Sequence, residues 1–134
     1  MRETSASRRE SGSEAAYQSK WRKSKESDPR YRASRLLVDA RQRAKKSGLE
    51  SDLDLDWVTS RIEKGLCQVT GISFDLSPSV PARPFTPSLD RINPKLGYMK
   101  DNTQVVCWIY NRAKGVHNHS AVVTLAEALC KKTH

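Results

Sequence analysis

Three side chains with oxygen donors follow one another within a short stretch of the chain: Asp90, Asn102 and Asn111. A carboxylate and amide oxygens brought to one point would suit a hard divalent cation such as Mg²⁺ or Mn²⁺, which takes oxygen ligands and keeps several waters. Such an ion polarises a phosphodiester and stabilises the leaving oxygen. The same residue types also build turns and caps with no metal at all. Their meaning therefore depends on the elements that carry them. Ser88-Leu89-Asp90-Arg91-Ile92 alternates apolar and polar residues and predicts a strand. Asn93-Pro94-Lys95-Leu96-Gly97-Tyr98 predicts a turn, and Thr103–Cys107 a second strand that closes a hairpin. A helix is expected from about Trp108 to Lys114, ended by Gly115. Asn111 lies one turn into that helix and can face back across the hairpin.

Upstream, the elements are basic. Lys and Arg number 24 against 15 acids, a net charge of +9. Residues 1–50 hold 14 basic and 7 acidic residues, and residues 51–134 hold 10 and 8, so most of the excess lies in the first part. A polyanion, nucleic acid above all, is the partner such a chain suits. Residues 1–26 are rich in Ser, Arg, Glu and Lys and read as a flexible arm, although Tyr17 and Trp21 could pack one turn onto the body. Ser27-Asp28-Pro29 is a helix start, and Gly48 marks its end. Ala33, Leu36, Leu37, Ala40 and Ala44 form an apolar stripe on that helix. Arg30, Arg32, Arg35, Arg41, Arg43, Lys45 and Lys46 occupy much of the rest and are expected to lie along DNA phosphates. The other reading of these charges is a solvated helix face.

Asp54 or Asp56 is expected to cap a second helix, about Trp57–Lys64, with Trp57, Val58, Ile62 and Leu66 on its buried side. A short strand and turn should follow over 66–72, then an extended Pro-rich loop over 77–88. His117-Asn118-His119 is expected as an exposed loop, and Ala121–Lys131 as a last amphipathic helix. No apolar run approaches the roughly 18–20 residues of a membrane span. No apolar segment follows Met1-Arg2-Glu3-Thr4-Ser5, so no secretory leader is expected. Three irregularly spaced cysteines make no disulfide framework and point to a reducing cytoplasm.

In order along the chain, Cys67-Gln68-Val69-Thr70-Gly71, Ser88–Asn93, Gly97-Tyr98, Asn102 and Val105–Lys114 resemble the HNH family. These are the His-Me finger, or ββα-metal, endonucleases, many of them phage-encoded, which would place the chain in a host-cell cytoplasm. The resemblance covers about residues 66–115. It implies an α+β fold: a ββα-metal core with a basic N-terminal helix and additional flanking helices. The chain then divides into a basic arm (1–26), a basic helical region (27–65) and the HNH-like core with its C-terminal helix (66–134). The resemblance implies hydrolysis or nicking of duplex DNA with one divalent ion, Mg²⁺ or Mn²⁺. Asp90 matches the metal-binding Asp, and Asn102 the central Asn that orders the loop and the catalytic residue. Asn111 matches the final His or Asn, the second metal ligand, and Lys114 a basic residue often found after it, grouped here with the DNA contacts.

The chain departs from the family pattern twice. Arg91 stands where the general-base histidine would be. With a pKa above about 12, arginine does not accept a proton near neutrality, but it can hold a phosphate oxygen or stabilise developing negative charge. Cys67 and Cys107 match the first cysteine of each Cys-x-x-Cys zinc pair, but Thr70 and Tyr110 occupy the second positions. Two sulfurs do not close a zinc site, so no structural zinc is expected; Val69, Trp108 and Tyr110 could fill the space. The expectation is a metal-dependent endonuclease of HNH-like type. The alternative is a catalytically inactive DNA-binding or packaging-associated protein on the same scaffold. A third class, a basic module for RNA or a protein partner, lacks recognisable RNA-reading aromatics.

Overall fold

A computed structural model describes residues 14–18, 20–21, 25–78 and 83–133. Expectations for the first residues of the arm, for residues 79–82 of the Pro-rich loop and for His134 lie outside the described residues. From Pro29 on, the elements among the described residues are, in order, α1 (Pro29–Lys46), α2 (Leu55–Glu63), β1 (Pro87–Arg91), β2 (Thr103–Cys107), α3 (Trp108–Lys114) and α4 (His119–Thr133). The strands form an antiparallel hairpin in which Asp90 faces Gln104 and Arg91 faces Thr103. With α3 the hairpin makes a ββα unit, and α1, α2 and α4 flank it. Among the described residues no helix is long and apolar enough to cross a membrane.

Local chemistry sets the helix ends. Asp28 caps α1 by accepting from the Arg30 backbone N–H at 3.0 Å, with Pro29 in the first turn. The chain leaves α1 through Gly48 at φ +68°, a left-handed conformation that glycine adopts without a Cβ clash. Asp54 caps α2, accepting from the Trp57 N–H at 2.8 Å. α2 stops at Glu63, and this explains why Leu66 is half exposed rather than on the buried side: helical spacing no longer governs it. Residues 66–72 form a turn closed by a single Leu66–Ser73 bridge, not the expected short strand. Gly71 N–H donates to Cys67 O at 2.9 Å there, which makes the turn too tight to extend. Asn118 accepts from the Ala121 N–H at 3.0 Å, so α4 starts at His119, two residues before its expected start.

Ala33, Leu37, Ala40 and Ala44 of α1 pack with Val58 and Ile62 of α2, Leu89 and Val105 of the hairpin, and Leu53 and Tyr98. Alanine at three of the four α1 positions lets the helix backbone approach its neighbours closely. A second cluster on the other side of the hairpin holds Cys67, Val106, Cys107 and Tyr110, with Val122 of α4 against it. Beyond Val122 most of α4 is exposed, so its amphipathic face is covered only near the start. Of the two arm aromatics, Trp21 meets Tyr31 of α1 edge-on at 6.0 Å, whereas Tyr17 is exposed.

The segment between α1 and α2 clamps the hairpin turn. Ser51 bridges Tyr98, Lys100 N–H donates to Asp52 at 2.6 Å, and Lys100 Nζ pairs with Asp54 at 2.8 Å. A Cβ on Gly97 would overlap the Glu50 carbonyl oxygen. Gly97→Ala is expected to lower stability by about 1–3 kcal/mol through overpacking, read as a shifted urea midpoint. An unchanged midpoint would show that the clamp yields. The Lys100 hydrogen bond, with that from the Trp57 N–H, holds the Asp54 carboxyl below its usual 3.8. A depressed carboxyl stabilises the fold above its unfolded pKa, and that contribution disappears as pH falls through the folded value. Asp54→Asn should therefore flatten the loss of stability below about pH 4 in acid titrations. An acid limb as steep as the parent's would count against it.

Candidate functional site

Side chains alternate across a strand, so Ser88 and Asp90 share one face of β1 while Leu89 and Arg91 share the other. α3 lies over the first face. Asn111 donates through Nδ2 to Ser88 Oγ at 2.7 Å and to Leu89 O at 2.9 Å. One turn on, Lys114 reaches Asp90: its Nζ donates to Oδ1 at 2.8 Å, to Oδ2 at 3.1 Å and to the Arg91 carbonyl at 2.6 Å. Gln104, across the hairpin, donates to Asp90 Oδ2 at 2.8 Å. The two charged side chains are 2% and 3% exposed. Lys114 was expected on DNA phosphate; it lies inside the protein instead, paired with the residue expected to bind metal.

Asn102 is buried in the hairpin turn. Its amide donates to Asn93 O and Gly97 O, both at 3.0 Å, and its oxygen accepts from the Asn93 N–H at 2.9 Å. It orders the loop that follows Arg91. The Arg91 guanidinium lies 5.0 Å from the Tyr98 ring centre and donates to Leu96 O at 3.3 Å. Asp90, Arg91, Tyr98 and Asn111 meet Arg43 of α1 around a cleft of about 160 Å³. Arg43 and Lys46 also line a more open depression of about 330 Å³ beside it.

The basic residues of α1 divide into two groups. Arg30 pairs with Asp56 at 3.1 Å, and Arg41 donates to Leu53 O at 3.2 Å. Arg32 is half-buried and donates to Glu26 O at 2.5 Å and Ser77 O at 2.9 Å, and burial pushes its pKa down against the pull of Glu26 and Asp75. Arg32 is thus a fastening for the loop before β1 rather than a phosphate contact. Arg35, Arg43, Lys45 and Lys46 are exposed.

On the far side of the hairpin, Cys67 and Cys107 are buried with Tyr110, and Val69 packs against them. Trp108, expected to help fill this space, is instead half-buried with the Arg112 guanidinium 5.4 Å from its ring centre. Burial pushes the Cys107 thiol up. Burial also raises Cys67, but hydrogen bonds from the Thr70 side chain and from the backbone of Thr70, Cys107 and Val69 outweigh it and bring it down. Burial raises the Tyr110 hydroxyl, helped by the charges of Asp90 and Cys67. His119, expected in an exposed loop, shares a 2.9 Å hydrogen bond with that hydroxyl. Both His117 and His119 are exposed, and His119 is the first residue of α4.

Among the described residues no three or more His, Cys, Asp or Glu side chains converge to hold a metal ion. The expected ligands do not fit one as arranged. Both Asp90 oxygens carry hydrogen bonds from Lys114 and Gln104, and Asn111 turns its nitrogen toward β1. A divalent ion on Asp90 would have to displace a buried ammonium. The i, i+3 spacing of Asn111 and Lys114 is the signal that could have shown this, because whatever brings one to the hairpin brings the other.

No known protein-family profile matches the chain. No curated protein sequence matches it either. Among solved structures it is similar to the rare-cutting HNH restriction endonuclease PacI, with a TM-score of 0.53 at 19% identity over 75% of this chain and 78% of that one. At that identity the likeness is one of fold, and the two chains share their architecture over most of their length.

Removing one partner of a buried ion pair leaves an uncompensated charge and costs about 3–5 kcal/mol. Lys114→Met should lose about that much, whereas Asp90→Asn combined with Lys114→Met should recover most of it in chemical denaturation. Simple addition of the two single losses would contradict the pairing.

Proposed function

We propose that this chain is a DNA-binding protein on an HNH nuclease scaffold, with its Asp90 centre neutralised from within rather than by a metal ion. The observation that carries this is the buried Lys114–Asp90 contact. It cancels the one acidic side chain among the described residues lining the cleft and leaves Arg43 and Arg91 as their charge. A cleft with two guanidiniums and no free carboxylate suits a backbone phosphate, which guanidinium binds through paired N–H donors. Arg35 and Lys46 are exposed on the same side of α1 as Arg43 by helical spacing, with Asp39 between them, and the chain's net charge of +9 favours binding that depends on counterion release. The fold shared with a restriction endonuclease supports DNA as the polyanion.

A second reading, metal-dependent cleavage, is favoured by one observation: Asp90, Arg91 and Asn111, which match the family's active-site positions, line one cleft. That reading requires Lys114 to withdraw from Asp90.

Two measurements separate the readings. Binding to duplex DNA, followed by fluorescence anisotropy against salt, should weaken as salt rises. Arg43→Ala and Arg91→Ala should each lower the log–log slope by about 0.9 if each removes one phosphate contact. An unchanged slope in both variants would remove the cleft from the DNA interface. Supercoiled plasmid should stay intact with Mg²⁺ as it does with EDTA. Nicking that needs Mg²⁺ and disappears in Asp90→Ala would establish the cleavage reading instead.

A further inference from the structure

We infer that Lys114 is a built-in cation standing where a divalent ion would otherwise bind, and that removing it opens a divalent-cation site on Asp90. The ammonium has the contacts of a hard cation: two carboxylate oxygens and one backbone carbonyl, at 2.8, 3.1 and 2.6 Å. All three acceptors are oxygens, the donor type that Mg²⁺, Mn²⁺ and Ca²⁺ select. Two further groups stand at the same centre. The Gln104 amide lies on Asp90 Oδ2 and offers an oxygen if it turns over. Asn111 lines the same cleft as Asp90, so water has a route to complete a coordination shell.

Competition in the parent chain favours the lysine. A small divalent ion must give up tightly held water to reach Asp90. Lys114 has already lost its water, with only 2% of the side chain exposed. Its covalent attachment one turn beyond Asn111 holds it at the carboxylate whatever the solution contains. Truncating the side chain to Ala removes the competing charge and the four-carbon stem together. It also leaves a buried carboxylate unpaired, which is the strongest local demand for a cation.

The inference rests on the reading of Asp90 as neutralised from within, but its test needs no DNA and reads no cleavage, so its failure is distinct from a failure of DNA binding. Binding of Mn²⁺ alone is followed by the electron paramagnetic resonance of the free ion, and melting temperature is recorded alongside. The parent should take up no Mn²⁺ that depends on Asp90. Lys114→Ala should bind one Mn²⁺ about tenfold or more tighter than the parent, with a melting temperature that rises with Mn²⁺, because an ion that binds only the folded state stabilises it. Lys114→Gln keeps most of the volume and adds a neutral oxygen, so it should behave likewise. Asp90→Asn combined with Lys114→Ala should lose the site. If Lys114→Ala folds only when Mn²⁺ is present, that dependence is itself the expected binding. Stoichiometric, Asp90-dependent Mn²⁺ binding by the parent would overturn the inference. So would failure of both Lys114 variants to bind, whether folded or not.

Discussion

A buried carboxylate must be answered by a cation or be protonated, and in this chain the answer to Asp90 is Lys114. Much of the local structure follows from that contact. α3 must lie across the hairpin at a depth where residue 114 meets residue 90, and this fixes where Asn111 meets β1. Gln104 adds a hydrogen bond to Asp90 Oδ2 from the opposite strand, where the register sets it directly across from Asp90. The pair joins α3 to the hairpin beside the cluster of Val106, Cys107 and Tyr110.

The other face of the hairpin is held differently. Leu89 and Val105 meet an alanine-rich side of α1, and the close approach brings Arg43 to the rim of the same cleft that Asp90 lines. The segment before α2 then fastens the hairpin turn through Ser51, Asp52 and Asp54. Asn102 secures the turn from within. Arg91 is carried on a rigid strand end against Tyr98, so two arginines from distant parts of the sequence reach one concavity without a flexible loop between them. Recognition of a phosphate gains from a charge fixed in advance, as Arg91 is by Tyr98 and the Leu96 carbonyl, because less side-chain freedom is lost on binding.

Much of this was legible in the residues. The Asp28-Pro29 start, the hairpin and the short helix after Cys107 all rest on local signals, and the structure places them within a residue or two of expectation. The ordering role of Asn102 follows from its amide, which can donate and accept at once inside a turn. What failed depended on long-range contacts. Lys114 and Arg32 read as surface charge because basic residues in a basic chain give no sign of which ones face inward. Only the three-dimensional neighbours, Asp90 for one and the Ser77 carbonyl for the other, decide it. His119 is exposed as expected but opens α4 instead of lying in a loop, and its hydrogen bond to the Tyr110 hydroxyl becomes visible only once α3 and α4 are brought together.

The proposed neutralisation of Asp90 by an ammonium in place of a metal ion is open to direct test in the presence of DNA. Crystals of the complex with duplex DNA, grown in Mn²⁺ and measured at the manganese absorption edge, test it most directly. The account predicts Lys114 Nζ still in contact with both Asp90 oxygens, a phosphate in reach of Arg43 and Arg91, and no anomalous peak beside the carboxylate. An anomalous peak on Asp90, with Lys114 turned out of the site, would contradict it.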